Sequence, residues 1–348
     1  MTPETFPTKR PLSLEDIAAK AGVSRSTVSR IINHSPNVSE KTRRHVLEVI
    51  AQEGYTPNPA ARALVTQRTQ AIGVVIPLAP LTFFEDAFYF PTLLQGISNT
   101  TSHRDYSMML WLAQSEEDDQ KFYRRIITNR LMDGVIIASA ARGEPLIDHF
   151  LQSGTPFVLV EDPCLDSDQI SFVSVDNLTA AYNAVSHLIS LGRRRIGHIT
   201  GNLHIADGQD RLEGYKQALT AAGMDVNEAW IAEGNFSHRS GYEGMKKLLD
   251  QGLDAVFAGN DITARGVLQA LNEAQVRVPD DVALVGFDDL PTAVHVTPKL
   301  TTVRQPIEEK GRLAASILLD LIENADSQPR QVLLPTQLVI RESCGAAS

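Results

Sequence analysis

Cysteine is scarce: Cys164 and Cys344 are the only two, and they lie far apart. That count gives no disulfide framework, and the spacing gives no cysteine zinc site. Long apolar runs are missing as well. No stretch approaches the roughly 18 consecutive apolar residues of a membrane-spanning helix, so no membrane partner is expected. The opening residues, MTPETFPTKRP, lack the apolar core of a secretion signal, and the chain is therefore expected in the cytoplasm. The signatures of several enzyme classes are absent too. There is no phosphate-cradling glycine loop, no metal-spaced histidine pair and no GxSxG nucleophile turn. Neither a metal nor a cofactor is expected.

Excess positive charge is also lacking, since the net charge is −10. Its distribution is uneven. Residues 1–70 hold 10 Lys and Arg against 6 Asp and Glu, a net of +4, and the remainder holds 22 against 36, a net of −14. A basic head on an acidic body is what results when only the head meets phosphate, although a mildly basic head alone is equally consistent with a solvated surface.

What is present begins at Ser13–Asn33, SLEDIAAKAGVSRSTVSRIIN. Leu14, Ile17, Ala18 and Ala21 follow the i, i+3, i+4, i+7 pattern of an amphipathic helix. Ser13 and Asp16 have capping-box spacing, Gly22 suits the left-handed stop, and Ser24 suits the next cap. On the second helix Val28, Ile31 and Ile32 share one face. Arg25, Ser26, Ser29, Arg30 and Asn33 share the other. Packing explains the apolar face but does not require short and basic residues opposite it. Short side chains let a helix sink into the major groove, and arginine can bind guanine O6 and N7 together. Residues at the start of such a helix reach the bases, which assigns base reading to Arg25 and Ser26. Thr27, Ser29, Arg30 and Asn33 are assigned further base or phosphate contacts. A third helix is predicted from its cap Ser39 to its stop Gly54, with Val46, Leu47, Ile50 and Ala51 as the buried stripe. Asn58 and Pro59 then suit the start of a short helix that would not persist alone, and a plain linker is the competing reading.

Residues 12–77 resemble the start of a lactose-repressor (LacI/GalR) family regulator. The likeness rests on VSRSTVSRIIN, on VSEKTRRHVLEVIAQEGYTPNPAARAL and on the strand-like AIGVVIP. It continues to about Val339. In that family the short helix is a hinge, and paired hinges of a dimer enter the minor groove with a wedging leucine. The resemblance puts Leu64 at that position, with Ala61 one turn before it. Apolar wedges of this kind kink DNA.

From Ala71 onward, strand-like and helix-like segments alternate, as in parallel sheets flanked by helices. The expected fold is a small all-α helix-turn-helix head plus an α/β body of two doubly wound parallel-sheet lobes, like a periplasmic binding protein. The expected boundaries are 1–56 for the head, 57–70 for the hinge helix and linker, and 71–348 for an effector-binding and dimerisation domain. Lobe 1 is expected at about 71–168 with 302–325. Lobe 2 is expected at about 172–300 with closing strands from Val332–Ile340.

Ligands in such folds sit outside the carboxyl ends of the strands. Asp176, Asn260, Asp261 and Asp288 follow predicted strands, Arg211 opens a helix turn, and Phe236 lies in a loop. Carboxylates and an arginine can bind sugar hydroxyls, and an aromatic face can stack on a ring. Asp176 and Asp261 also read as helix caps, and Arg211 as a surface ion pair. The family resemblance implies an effector site at Asp176, Arg211, Phe236, Asn260, Asp261, Asp288 and Gln305, with Tyr89 and Phe90 at positions that can face it from the first lobe. Asp207, four residues before Arg211, is a further candidate contact. The run LAPLTFFEDAFYFPTLLQG is longer and more aromatic than the family's usual connection there, which suits a ligand larger than a monosaccharide.

The expected function is a sequence-specific DNA-binding regulator. It would be a homodimeric repressor on a pseudo-palindromic operator, controlled by a small sugar-like effector between the lobes. Three other readings stay open at this level. The body could serve dimerisation or partner docking alone, it could bind a purine-type corepressor, or it could be a carbohydrate-active enzyme using Asp288, Asp289, His295 or His198. A hydrolase needs two carboxylates at a defined separation, which a sequence does not display. His198 reads more simply as a structural residue, and His187 as a packing or surface one.

Overall fold

A computed structural model describes residues 12–32, 37–56, 68–77, 88–112, 121, 131–141, 143–163, 168–324 and 327–346. Asn33, Ala61 and Leu64, and with them the expected hinge helix, lie outside the described residues. The chain forms two compact units, Met1–Thr69 and Gln70–Ser348.

The first unit holds α1 (Leu14–Ala21), α2 (Arg25–Ile32) and α3 (Glu40–Glu53). The capping box is formed: the Asp16 amide donates to Ser13 Oγ at 3.2 Å, and the Ser13 amide to Asp16 Oδ2 at 2.8 Å. Gly22 and Gly54 end α1 and α3 at φ 62° and 61°, a conformation that costs glycine no Cβ clash. Ile17, Ala18, Ala21, Val28, Ile31, Val46 and Tyr55 form the core. The buried stripe of α3 differs from the expected one. Leu47 is 47% exposed and Ala51 is exposed, while Val49 and Ile50 pack beside Val46. Positions three and four beyond Val46 share its face, and the adjacent position turns away.

The second unit contains two six-stranded sheets. The first runs β11-β5-β4-β3-β1-β2, built from β1 (Ala71–Ile76), β2 (Ser107–Leu112), β3 (Gly134–Ala138), β4 (Phe157–Val160), β5 (Ser171–Val175) and β11 (Gln331–Leu334). The second runs β12-β10-β9-β8-β6-β7, from β6 (Ile196–Ile199), β7 (Ile231–Ala232), β8 (Ala255–Ala258), β9 (Ala283–Asp288), β10 (Thr301–Arg304) and β12 (Gln337–Val339). Every pairing is parallel except that of β12 with β10. Strands β3, β4 and β8 are apolar throughout because helices cover both faces.

Helices α4 (Tyr89–His103), α5 (Pro145–Ser153) and α11 (Ile307–Glu323) cover the first sheet. The second is covered by α6 (Asn177–Ser190), α7 (Ala206–Ala221), α8 (His238–Leu248) and α9 (Asp261–Glu273), with the short α10 (Thr292–His295) after β9. Helices α4 and α11 approach closely through two glycines. A Cβ on Gly96 would stand 2.0 Å from the Glu308 carbonyl oxygen, and one on Gly311 would stand 2.2 Å from that of Leu93.

The lobe boundaries are corrected at three points. Strand β5 pairs with β4 and belongs to the first lobe, so the chain enters the second lobe at α6, not at residue 172. Strand β10 pairs with β9 and stays in the second lobe, so the return crossing follows Arg304 rather than preceding residue 302. Of the two closing strands, β11 completes the first sheet and β12 the second. A buried apolar strand carries no mark of which sheet it joins, and only pairing decides that.

Candidate functional site

On α2 the buried Val28 and Ile31 hold the helix against the head core. Arg25, Ser26 and Arg30 are exposed, and Thr27 and Ser29 are half-buried. Ser24 caps the helix by accepting from the Thr27 amide at 3.2 Å, and its Oγ lies 2.8 Å from those of Ser26 and Thr27. Arg25 Nε is 3.1 Å from Glu15 Oε1, both side chains being largely exposed. Such a surface pair is worth about 0–1 kcal/mol, little enough for the guanidinium to turn toward a stronger acceptor.

The second unit carries a cleft of about 560 Å³ lined by both lobes. From the first lobe come Pro77, Tyr89, Phe90, Ser139, Ala141, Glu144 and Glu161. From the second come Asn202–Ile205, Asp207, Gln209, Arg211, Asn235, Phe236, Asn260 and Asp288. Pro77, Ser139, Glu161 and Asn260 follow β1, β3, β4 and β8, and Asp288 ends β9, as expected for a ligand site in such sheets.

Arg211 organises the second-lobe wall. Its Nε donates to Asn177 Oδ1 at 3.0 Å, Nη1 to the Gly259 carbonyl at 2.7 Å and Nη2 to Asp207 Oδ2 at 3.5 Å. Asp288 Oδ1 lies 3.8 Å from Nη1. The guanidinium rests 3.6 Å from the Phe287 ring centroid and 5.3 Å from that of Phe236. Buried arginines of this kind need every partner they have, because desolvation of the charge is costly. In the first lobe Glu161 accepts from the Ser139 amide at 2.5 Å and from Tyr89 Oη at 3.2 Å. Burial pushes its carboxyl up to about 7, against the pull of Lys310. Burial and the neighbouring Asp207 raise Asp210 to about 6.

Backbone strain gathers at the same place. Eight non-glycine residues among those described have positive φ, and Ser139, Glu161, Phe236 and Asp288 of these line the cleft. For residues other than Asn, Asp or Gly this conformation is uncommon and persists only where the surroundings impose it, often at functional sites. Phe236, at φ 67°, reaches its position because Gly201 leaves room. A Cβ on Gly201 would stand 1.9 Å from Phe236 Cζ.

Seven residues expected at this site line the cleft: Tyr89, Phe90, Asp207, Arg211, Phe236, Asn260 and Asp288. Three do not. Asp176 is an exposed cap of α6, accepting from the Thr179 amide at 2.9 Å. Asp261 is fully buried behind the wall. It accepts from the Leu290 amide at 2.8 Å and Thr302 Oγ1 at 2.5 Å, and burial holds its carboxyl well above the usual range. Gln305 is buried one layer back, donating through Nε2 to Asp288 Oδ1 at 2.6 Å. Asn177, which ties Arg211 to Asp207, escaped the sequence reading. So did Glu161, although it stands at the carboxyl end of an apolar strand as Asp288 does, and Lys310, although it interrupts the apolar face of α11.

A family profile described as "Bacterial regulatory proteins, lacI family" matches residues 13–58, and one for a periplasmic binding protein-like domain matches 185–344. The HTH-type transcriptional regulator CelR of Thermobifida fusca is 38% identical over 338 residues, which is 96% of this chain and 98% of that one. The chain belongs to the LacI family. Its sequence-specific DNA-binding head is the three-helix unit above, and as a LacI-family regulator it controls transcription. A solved CelR–cellobiose complex matches with a TM-score of 0.76 at 36% identity, covering 96% of this chain and all of that one. The lac repressor dimer bound to operator and an anti-inducer matches with a TM-score of 0.83 at 27% identity, covering 97% of this chain and all of that one. Among the described residues of this LacI-family chain, no helix is long and apolar enough to cross a membrane.

Proposed function

We propose that this LacI-family regulator is a dimeric repressor whose operator affinity is set by a sugar-like ligand in the cleft, with an oligosaccharide such as cellobiose as the leading candidate. One observation carries the reading. The cleft is walled from two lobes by fixed carboxylates, a fixed guanidinium and an aromatic face, the set that recognises hydroxyls and a sugar ring. Its volume falls in the range of about 300–1,000 Å³ typical of small-molecule sites. The CelR relative whose structure holds cellobiose supports a ligand of that size.

In this reading Tyr89, Phe90, Glu161, Asp207, Arg211, Phe236, Asn260 and Asp288 contact the ligand, with Gln305 behind them. Arg25 and Ser26 read bases, and Thr27, Ser29 and Arg30 add base or phosphate contacts. Asn33, Ala61 and Leu64 keep their expected DNA contacts. The body acts as a sensor rather than a catalyst. Two of the four acid–base candidates are engaged elsewhere: Asp289 accepts from Arg304 at 2.7 Å and Arg341 at 2.6 Å, and His198 is buried in the second-lobe core. Ligand closure changes the angle between the lobes, and its differential affinity for two states supplies about 1–3 kcal/mol of coupling.

The test is selection of an operator from random DNA, followed by titration of that complex with cellobiose, other oligosaccharides, monosaccharides and purines. The expected result is a palindromic site whose affinity cellobiose or a related glycan changes about 5- to 150-fold. A site that responds to no sugar, or only to a purine, overturns the sugar reading.

A further inference from the structure

Lys310 is fully buried on α11, one turn beyond Ile307, on the face that carries Gly311, Ala314, Ala315 and Leu318. An ammonium survives there only with close partners, because the charge loses its water. Its Nζ donates to Tyr89 Oη at 3.1 Å and to Gln305 Oε1 at 3.4 Å, and lies 3.8 Å from Glu161 Oε1. Lys310 is not itself part of the cleft wall, yet each partner leads there. Tyr89 passes the bond on to Glu161, and both line the cleft from the first lobe. Gln305 passes it across the return crossing to Asp288, which lines the cleft from the second lobe. The direction of the Gln305 amide follows from the donors. An ammonium only donates and a carboxylate only accepts, so the oxygen faces Lys310 and the amide nitrogen faces Asp288.

We propose that Lys310 is a positioning residue for ligand recognition: one buried ammonium orients Tyr89 and Glu161 on the first lobe and, through Gln305, Asp288 on the second. The proposal rests on the reading of the cleft as the ligand site. It gives the two walls a common anchor, so the acceptors that meet a ligand's hydroxyls are set together. The charged and titratable groups around Glu161 are Tyr89 on α4, Lys310 on α11 and Asp207 on α7, with Arg211 on α7 and Asp288 at the end of β9 acting on Tyr89. Lys310 is the cation that directly favours the ionised, hydroxyl-accepting form of Glu161, while burial and Asp207 oppose it.

The test uses the full chain and compares wild type with Lys310→Met, Lys310→Gln and Glu161→Gln. Methionine keeps the length and suits the apolar face. Glutamine keeps a hydrogen bond to Tyr89 and serves if the first variant fails to fold. Infrared titration of the ligand-free protein isolates the Glu161 carboxyl band as the one missing from Glu161→Gln. We expect its midpoint near pH 7 in wild type and at least one pH unit higher in the folded Lys310 variant. Calorimetric titration with cellobiose at several pH values should show affinity at pH 7 falling at least about fivefold in that variant and recovering at more alkaline pH. A carboxyl midpoint and an affinity profile that match wild type would overturn the proposal and leave Lys310 as core packing. Should wild type take up no cellobiose, that choice of ligand fails, whereas the infrared midpoint still decides for or against Lys310.

Discussion

At the scale of single residues, exposed Arg25 and buried His198 show how far a side chain's role can be read from its neighbours. Among the described residues Arg25 has one weak surface partner, Glu15, and therefore keeps its capacity for a base edge. Arg25→Ala should cost about 1–3 kcal/mol of discrimination at one operator position while leaving salt-dependent nonspecific binding in place. Competition between the selected operator and single-base variants measures this, and unchanged discrimination removes the base-reading role. His198 stacks with Tyr215 and Phe257, with ring centroids 5.1 and 4.9 Å away, and its Nδ1 is 2.8 Å from the Phe257 carbonyl oxygen. Burial lowers it to about 4, with Arg211 adding to the effect and the Phe257 hydrogen bond opposing it. The unfolded chain then binds more protons than the folded one between about pH 4 and 6.5, so stability falls as pH drops through that window. On the order of 2 kcal/mol should be lost between pH 7 and pH 5, and His198→Phe should flatten that dependence in urea titrations. A variant with the wild-type slope would locate the acid sensitivity elsewhere. The same scale explains which acids reach the cleft. Asp176 and Asp261 follow strands just as Asp288 does, and what separates them is whether an amide, a hydroxyl or open space lies opposite.

Elements were legible where local chemistry decides them. The capping box of α1, the Ser39 and Gly54 ends of α3 and most strands of the body follow from cap residues and apolar runs. Two-residue β7 was not, since a strand that short has no period to read. Nor was the lobe membership of β5 and β10, because pairing partners distant in sequence leave no local signal. Close helix contact is a third property of this kind. Glycines in α4 and α11 look merely unfavourable for helices until the crossing brings a carbonyl against each. Gly311→Ala should therefore destabilise the body by about 1–3 kcal/mol, against the small gain alanine gives an isolated helix. The obstructing Leu93 atom is backbone and cannot rotate aside. A melting midpoint several degrees lower is expected, while Ser102→Ala on the exposed side of α4 leaves it in place. An unshifted Gly311→Ala midpoint would mean that the two helices separate without cost.

For the whole molecule, the open question is which surface joins two copies. A near-palindromic operator demands two heads, and a dimer gains affinity because the second head binds at high effective concentration. Among the described residues the first sheet ends at β2, an edge strand with no fully buried residue, on which Met109 is 42% and Leu110 37% exposed. Neighbouring residues on a strand point to opposite faces, so this edge offers apolar surface on both. An uncovered apolar edge invites pairing with other chains, and natural proteins block such edges with charge or cover them. No charged residue interrupts SMMLWL, so charge does not block this edge. We expect a second copy of this chain to cover it, which also supplies the second head. Leu110→Lys places an ammonium at that seam and should convert the dimer to monomer in sedimentation velocity. Operator affinity should fall about 10²- to 10⁴-fold with it, while a single half-site is bound as in wild type. Persistence of the dimer in Leu110→Lys and in Met109→Lys would move the seam to another surface and leave the β2 edge without a partner of this kind.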